Sequence, residues 1–136
     1  TFGRLQVTDL NRLQAWFGAW TPEKPVLLHA EGLSVAVALA LGHLWQRPIH
    51  LCHIGRAAEI GLIRRAKERG LVVTCEVTPH HLTLTDECLR TFDSNFKMSP
   101  PLRGQRHVDP GKTVKGQVAA CQPEVGAKAL QLLNGG

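Results

Sequence analysis

Between Val26 and Leu82 three short apolar runs alternate with two stretches of helical periodicity. The runs are Val26-Leu27-Leu28, Ile49-His50-Leu51-Cys52 and Val72-Val73-Thr74-Cys75. Each is too short for a helix and rich in β-branched or aliphatic residues, which predicts strands over Val26–His29, Ile49–His53 and Val72–Val77. The intervening segments, Leu33–Gln46 and Ala57–Arg69, place apolar residues every three or four positions and predict helices. Gly70 sits where a helix C-terminus favours glycine. The order β-α-β-α-β implies an α/β fold with parallel strands joined by right-handed crossovers. Parallel strands point the same way, so their C-terminal ends share one rim.

The pattern before and after this block is weaker. Leu5–Trp20 has helical spacing, with Thr8 or Asp9 as its cap, and Thr21–Pro25 is a turn because two prolines exclude regular structure. Thr78–Leu82 leaves the rim, and Thr85-Asp86-Glu87 opens a short helical turn through Cys88 and Leu89. Asn95–Met98 is a candidate fourth strand, and Ser99–Gly104 reads as a loop. From Gly104 the chain turns polar and glycine-rich with no clear period, apart from a weak helical pattern over Glu124–Leu133. This divides the chain into a structured region, 1–103, and a divergent tail, 104–136.

Each apolar run leads into a residue able to bind a metal or move a proton: His29, His53 and Glu76, spaced 24 and 23 residues apart. A single histidine at a strand end is commonly a hydrogen-bonded surface residue. Three such residues at one repeated phase point to a site at the rim, where α/β folds place their chemistry. Imidazole and carboxylate suit zinc, and Cys52 and Glu76 are further candidate ligands. Glu31, two residues past His29, is a candidate for orienting a ligand. His80 and His81 are either anion or metal ligands or a pair bonded to backbone and water. His43, His50 and His107 are read as structural: His43 lies mid-helix, His50 faces away from His53 along the strand, and His107 is in the tail.

Composition narrows the remaining classes. The 136 residues fit one domain with a real core. The net charge of +5 comes from scattered Lys and Arg, and Arg64, Arg65, Lys67 and Arg69 share one helix as a solvated face. With no Tyr there is no aromatic stacking platform, which argues against nucleic acid as a partner. Cys52, Cys75, Cys88 and Cys121 form no CxxC pair, and the simplest reading is a reduced, cytoplasmic protein. No apolar run reaches about 18 residues, so no membrane partner is expected. GxSxG, Walker and GxGxxG motifs are absent, which disfavours serine-hydrolase and phosphate-loop chemistry. The chain opens on Thr1 inside a helical pattern and reads as a piece of something longer.

The segments HAEGLSVA, IHLCHIGRAAEI, GLVVTCEVTPHHLTLTDE and FKMSPPLRG resemble dihydroorotase, of the amidohydrolase superfamily, from about Val26 to Arg103. The double histidine of Pro79-His80-His81-Leu82 favours dihydroorotase over the related allantoinases and hydantoinases. The resemblance implies parallel β-α units of a (β/α)8, TIM-like barrel, roughly strands five to seven, incomplete in this chain. It implies a metal-dependent cyclic amide hydrolase of pyrimidine biosynthesis, interconverting N-carbamoyl-L-aspartate and dihydroorotate with zinc. The family's strand-five and strand-six histidines, metal ligands, match His29 and His53. The cysteine and glutamate that hold an extra zinc in the animal multifunctional protein match Cys52 and Glu76. The residue before Pro-Pro-Leu-Arg contacts substrate; it is commonly Asn, and here it is Ser99. The strand-one His-x-His, the strand-four bridging residue and the strand-eight proton-shuttling Asp have no counterpart here, so no catalytic residue is assigned. The isolated chain is therefore expected to be inactive. A second expectation is a non-catalytic relative that serves as a structural partner of aspartate transcarbamoylase.

Overall fold

The computed structural model describes residues 7–105; the expected helix over Glu124–Leu133, His107, Cys121 and most of the tail lie outside them. The described residues separate into two units, one of residues 7–54 with 61–76, the other of residues 55–60 with 77–105.

In the first unit a helix, α1 (Leu10–Ala19), precedes strand β1 (Val26–Leu28), helix α2 (Leu33–Leu44) and strand β2 (Ile49–Leu51). Helix α3 (Ala57–Glu68) leads to strand β3 (Val73–Cys75). The sheet is parallel throughout, in the order β1-β2-β3. All three strands and both crossover helices fall within their expected spans. The N-terminal helix is shorter than expected. Asp9 starts it, its carboxylate accepting the N–H groups of Asn11 at 2.9 Å and Arg12 at 3.4 Å. That satisfies two of the donors a helix leaves unpaired at its start.

Register sorts the strands into two layers. Val26/Ile49/Val73 and Leu28/Leu51/Cys75 pair across the sheet on one face. Ile49, Leu51, Val73 and Cys75 there are almost fully buried. Leu27, His50 and Thr74 pair on the opposite face, and Leu27 is 64% exposed. Closed parallel barrels bury both faces of every strand. Helix α2 contributes Val35, Ala38, Leu39 and Leu41 to the core, and the part of α3 in this unit contributes Ile63. Gly32 (φ 59°) turns the chain into α2, and Gly70 (φ 86°) leaves α3 in the left-handed conformation that a side chain rarely adopts.

In the second unit Thr78 caps a short helix, α4 (Pro79–Thr83), in the segment that leaves the rim. Pro79 suits the first helical position because its missing N–H would be unpaired there anyway. The turn expected after Thr85 is a 3₁₀ helix over Asp86–Thr91. The candidate strand Asn95–Met98 is not a strand: a second 3₁₀ turn, Ser94–Phe96, occupies it, with the Asp93 carboxylate accepting the Asn95 N–H at 2.9 Å. That local side-chain bond outcompetes extension of a segment that has no partner strand among the described residues. The loop past Ser99 begins with a cis peptide to Pro100.

Candidate metal centre at the strand ends

The site grows out of the way the sheet ends. Regular pairing stops at Leu28, Leu51 and Cys75, but single bonds continue one step further. The N–H of Cys52 donates to the Leu28 carbonyl (3.0 Å), that of Glu76 to Leu51 (3.0 Å), and that of Ile54 to Glu76 (2.8 Å). His53 is thus bracketed by two tethered neighbours, and its φ is 44°. A residue with a Cβ gives up about 1–2 kcal/mol to sit in the left-handed region. This kink answers the alternation that a continuous strand would impose on Cys52 and His53. The strand ends at Leu51, and both following residues are released from strict alternation.

The kink brings the two rim histidines together. His29 Nδ1 lies 2.8 Å from His53 Nε2, with ring centroids 4.9 Å apart and the planes tilted by 35°. The two nitrogens converge on one point. Holding a zinc ion between them at 2.0–2.1 Å per bond requires a separation of about 3.3 Å in tetrahedral geometry, a small opening of the pair. The other nitrogen of His53, Nδ1, is buried with no hydrogen-bond partner among the described residues. Burial, reinforced by the neighbouring His29, lowers the pKa of His53 and favours the neutral ring that ligates metals.

Beside this pair lies a second grouping. The ligand atoms of His50, Cys52 and Glu76 all fall within 4.8 Å of one another. Burial, with the charge and hydrogen bond of Glu76 adding to it, raises the Cys52 thiol above its ordinary pKa. His50, read as structural in the sequence because it faces away from His53, is brought to Glu76 at 3.5 Å and to the Thr74 hydroxyl at 2.8 Å. The signal was present in the alternation: His50 and Cys52 share a strand phase, and Glu76 ends the adjacent strand.

The remaining candidates separate. Glu31 is half-buried in the rim loop, and His43 is exposed on α2. Ser99 is exposed and belongs to the second unit. His80 is exposed there, whereas His81 is buried, with Nδ1 2.8 Å from the Thr78 hydroxyl and Nε2 3.4 Å from the Pro101 carbonyl. His81 is bonded through its ring to the Thr78 hydroxyl and the Pro101 carbonyl. The donor sets at the strand ends, imidazole with imidazole and imidazole with thiol and carboxylate, are those that zinc takes, so the residues present fit the ion.

The fold defines a class: parallel β-α units of an amidohydrolase-type (β/α)8 barrel, incomplete in this chain. Within that class the chain is similar to dihydroorotases, over roughly strands five to seven of the barrel. It is 56% identical over 61 residues to the dihydroorotase of Deinococcus radiodurans, a match covering 45% of this chain and 15% of that protein. It is 43% identical over 92 residues to the multifunctional protein CAD of Squalus acanthias, 68% of this chain and 4% of that one. Among solved structures it is similar to the inactive dihydroorotase-like domain of the Chaetomium thermophilum CAD-like multifunctional protein. That likeness has a TM-score of 0.55 at 32% identity and covers 60% of this chain and 24% of that one. The dihydropyrimidinase from Brevibacillus agri matches with a TM-score of 0.53 at 32% identity, over 56% of this chain and 17% of that one. The chain thus spans less than a quarter of the length of each of these four. No family model matches the chain. Among the described residues no helix is long and apolar enough to cross a membrane.

Proposed function

We propose that this chain supplies part of the metal-binding rim of a dihydroorotase-like amidohydrolase of pyrimidine biosynthesis, acting on dihydroorotate and N-carbamoyl-L-aspartate. The observation that carries the reading is the convergence of His29 and His53 at 2.8 Å on neighbouring parallel strand ends, in a chain similar to dihydroorotases. His29 and His53 would hold zinc, with Cys52 and Glu76 as further ligands. Zinc bound there would polarise the ring amide carbonyl and lower the pKa of water. The chain's own residues prepare that role. The kink at His53 aims its ring at His29, and burial keeps the ring neutral. Ser99 would contact substrate. Residues 1–103 carry the barrel portion and 104–136 a separate tail. The absence from the sequence of the family's other ligands and its proton-shuttling Asp supports a chain that is inactive on its own. A reduced, cytoplasmic setting fits this activity.

A second reading has its own observation: one structural neighbour is described as inactive and belongs to a CAD-like multifunctional protein. On that reading the chain would be a non-catalytic partner of aspartate transcarbamoylase.

The test is a chimera in which residues 26–103 replace the matching segment of the Deinococcus radiodurans dihydroorotase. Dihydroorotate hydrolysis should persist and should fall by at least about a thousandfold with His29→Ala or His53→Ala. A chimera that folds, binds zinc and has no activity supports the non-catalytic reading. Activity unaffected by either substitution refutes the assignment of the histidines. The isolated chain with added zinc should stay far below an ordinary turnover of about 1 per second.

A further inference from the structure

His81 is a buried imidazole, 3% exposed, for which the metal rim has no use. We infer that His81 is a positioning residue: its ring latches the arm of residues 99–101 to α4 and so sets where Ser99 stands. The inference rests on the proposed function only in giving Ser99 a substrate to meet.

Three observations carry it, all within the second unit. First, the bonds of the ring form a directed chain. The backbone N–H of His81 donates to Thr78 Oγ1 at 3.4 Å as part of the helix cap. The hydroxyl hydrogen is then available to His81 Nδ1, 2.8 Å away. On the other side Nε2 lies 3.4 Å from the Pro101 carbonyl. A carbonyl only accepts, so Nε2 carries the hydrogen, and in the neutral ring Nδ1 accepts. One tautomer thus satisfies both partners.

Second, the arm offers few handles. Pro100 and Pro101 have no N–H, so this stretch is fastened through its carbonyls and by burial. Both means are used. The ring takes the Pro101 carbonyl, Pro100 and Leu102 are buried, and the Arg103 carbonyl accepts the Asp86 N–H at 3.1 Å. Two prolines in succession fix φ twice, so a shift at Pro101 is carried stiffly to the exposed Ser99.

Third, the ring is braced. A Cβ on Gly55 would meet His81 Cδ2 at 3.4 Å, so the backbone there packs closely on the imidazole. The buried Glu59 carboxylate holds that turn, accepting the N–H groups of Gly55 at 3.3 Å and Arg56 at 3.1 Å. In this dry setting water does not compete for the Pro101 carbonyl, which strengthens the latch.

The experiment is amide hydrogen exchange on the full chain. Leu102 is 4% exposed, so its amide meets solvent only when the arm opens. His81→Phe keeps a flat ring and removes both nitrogens; it should speed exchange at Leu102 about tenfold, the effect of one lost hydrogen bond. Exchange at Leu51 and Val73 in the sheet should not change. His81→Gln, whose side-chain N–H falls near the place of Nε2, should recover most of the protection. His81→Asn, which reaches only as far as Nδ1, should not. Equal exchange in wild type and His81→Phe, or recovery with Asn and not with Gln, overturns the proposal. A ¹⁵N spectrum of the wild-type chain needs no variant: it should show His81 protonated on Nε2 and bare on Nδ1, and the reverse tautomer overturns the proposal. In the active chimera His81→Phe should raise KM for dihydroorotate about tenfold, leave kcat within about twofold, and add nothing to Ser99→Ala. Full additivity of the two substitutions would show that His81 does not act through Ser99. An inactive chimera would count against the proposed function, while exchange and tautomer still decide the latch.

Discussion

Replacing Leu51 by Ala probes whether the central strand is solvent-excluded on one face only. Leu51 is fully buried and paired in register with Leu28 and Cys75. The substitution removes three carbon atoms, worth about 2.4 kcal/mol at ~0.8 kcal/mol each. A strand held on both sides cannot collapse into the gap, so a cavity contribution adds to this, and the total should be about 3–4 kcal/mol within the usual 2–5. For a domain with roughly 5–15 kcal/mol of stability that is a large fraction, and the midpoint of thermal unfolding should fall by more than about 12 °C. Leu27→Ala, one residue from Leu28 and on the exposed face, should change stability by no more than about 0.5 kcal/mol. The assay is urea and thermal unfolding followed by circular dichroism. A cost below about 1 kcal/mol for Leu51→Ala, or equal costs for the two variants, would refute this division of the sheet into a dry and a wet face.

Asp9→Ala should destabilise the chain by about 1 kcal/mol in the same unfolding assay, because two N–H groups of α1 lose their acceptor. His53 binds a proton less readily folded than unfolded, so the unfolded chain takes up protons first. Its contribution is present above an ordinary imidazole pKa of about 6.5 and is lost as pH falls through the lowered folded value. A metal-free pH–stability profile checks this, and His53→Ala should flatten the acid limb. Cys52 has the opposite sense: its folded thiol keeps its proton after the unfolded one has lost it. Stability should therefore decline as pH rises past the ordinary thiol range, and Cys52→Ser should remove that decline.

Much of this fold was legible because its signals are periodic. Runs ending at Leu28, Leu51 and Cys75, with helical stretches between, left few alternatives to parallel β-α units. The misjudged segments depend on bonds that a pattern does not carry. The Asp93 carboxylate capping Asn95 N–H makes a 3₁₀ turn of an apparent strand, and the α4 helix rests on the Thr78 cap and Pro79, which no period marks. At the site, strand ends located His29, His53 and Glu76. Alternation relative to His53 hides His50, because the left-handed backbone of His53 breaks that alternation.

The proposed function stands or falls with zinc binding by His29 and His53 together. Equilibrium dialysis of the metal-free chain against zinc measures it most directly, comparing wild type with His29→Ala, His53→Ala and the double variant. Each single substitution should remove one equivalent of bound zinc, or weaken it by at least about tenfold, and the double variant should be no worse than either single one. Unchanged zinc binding in both single variants would contradict this.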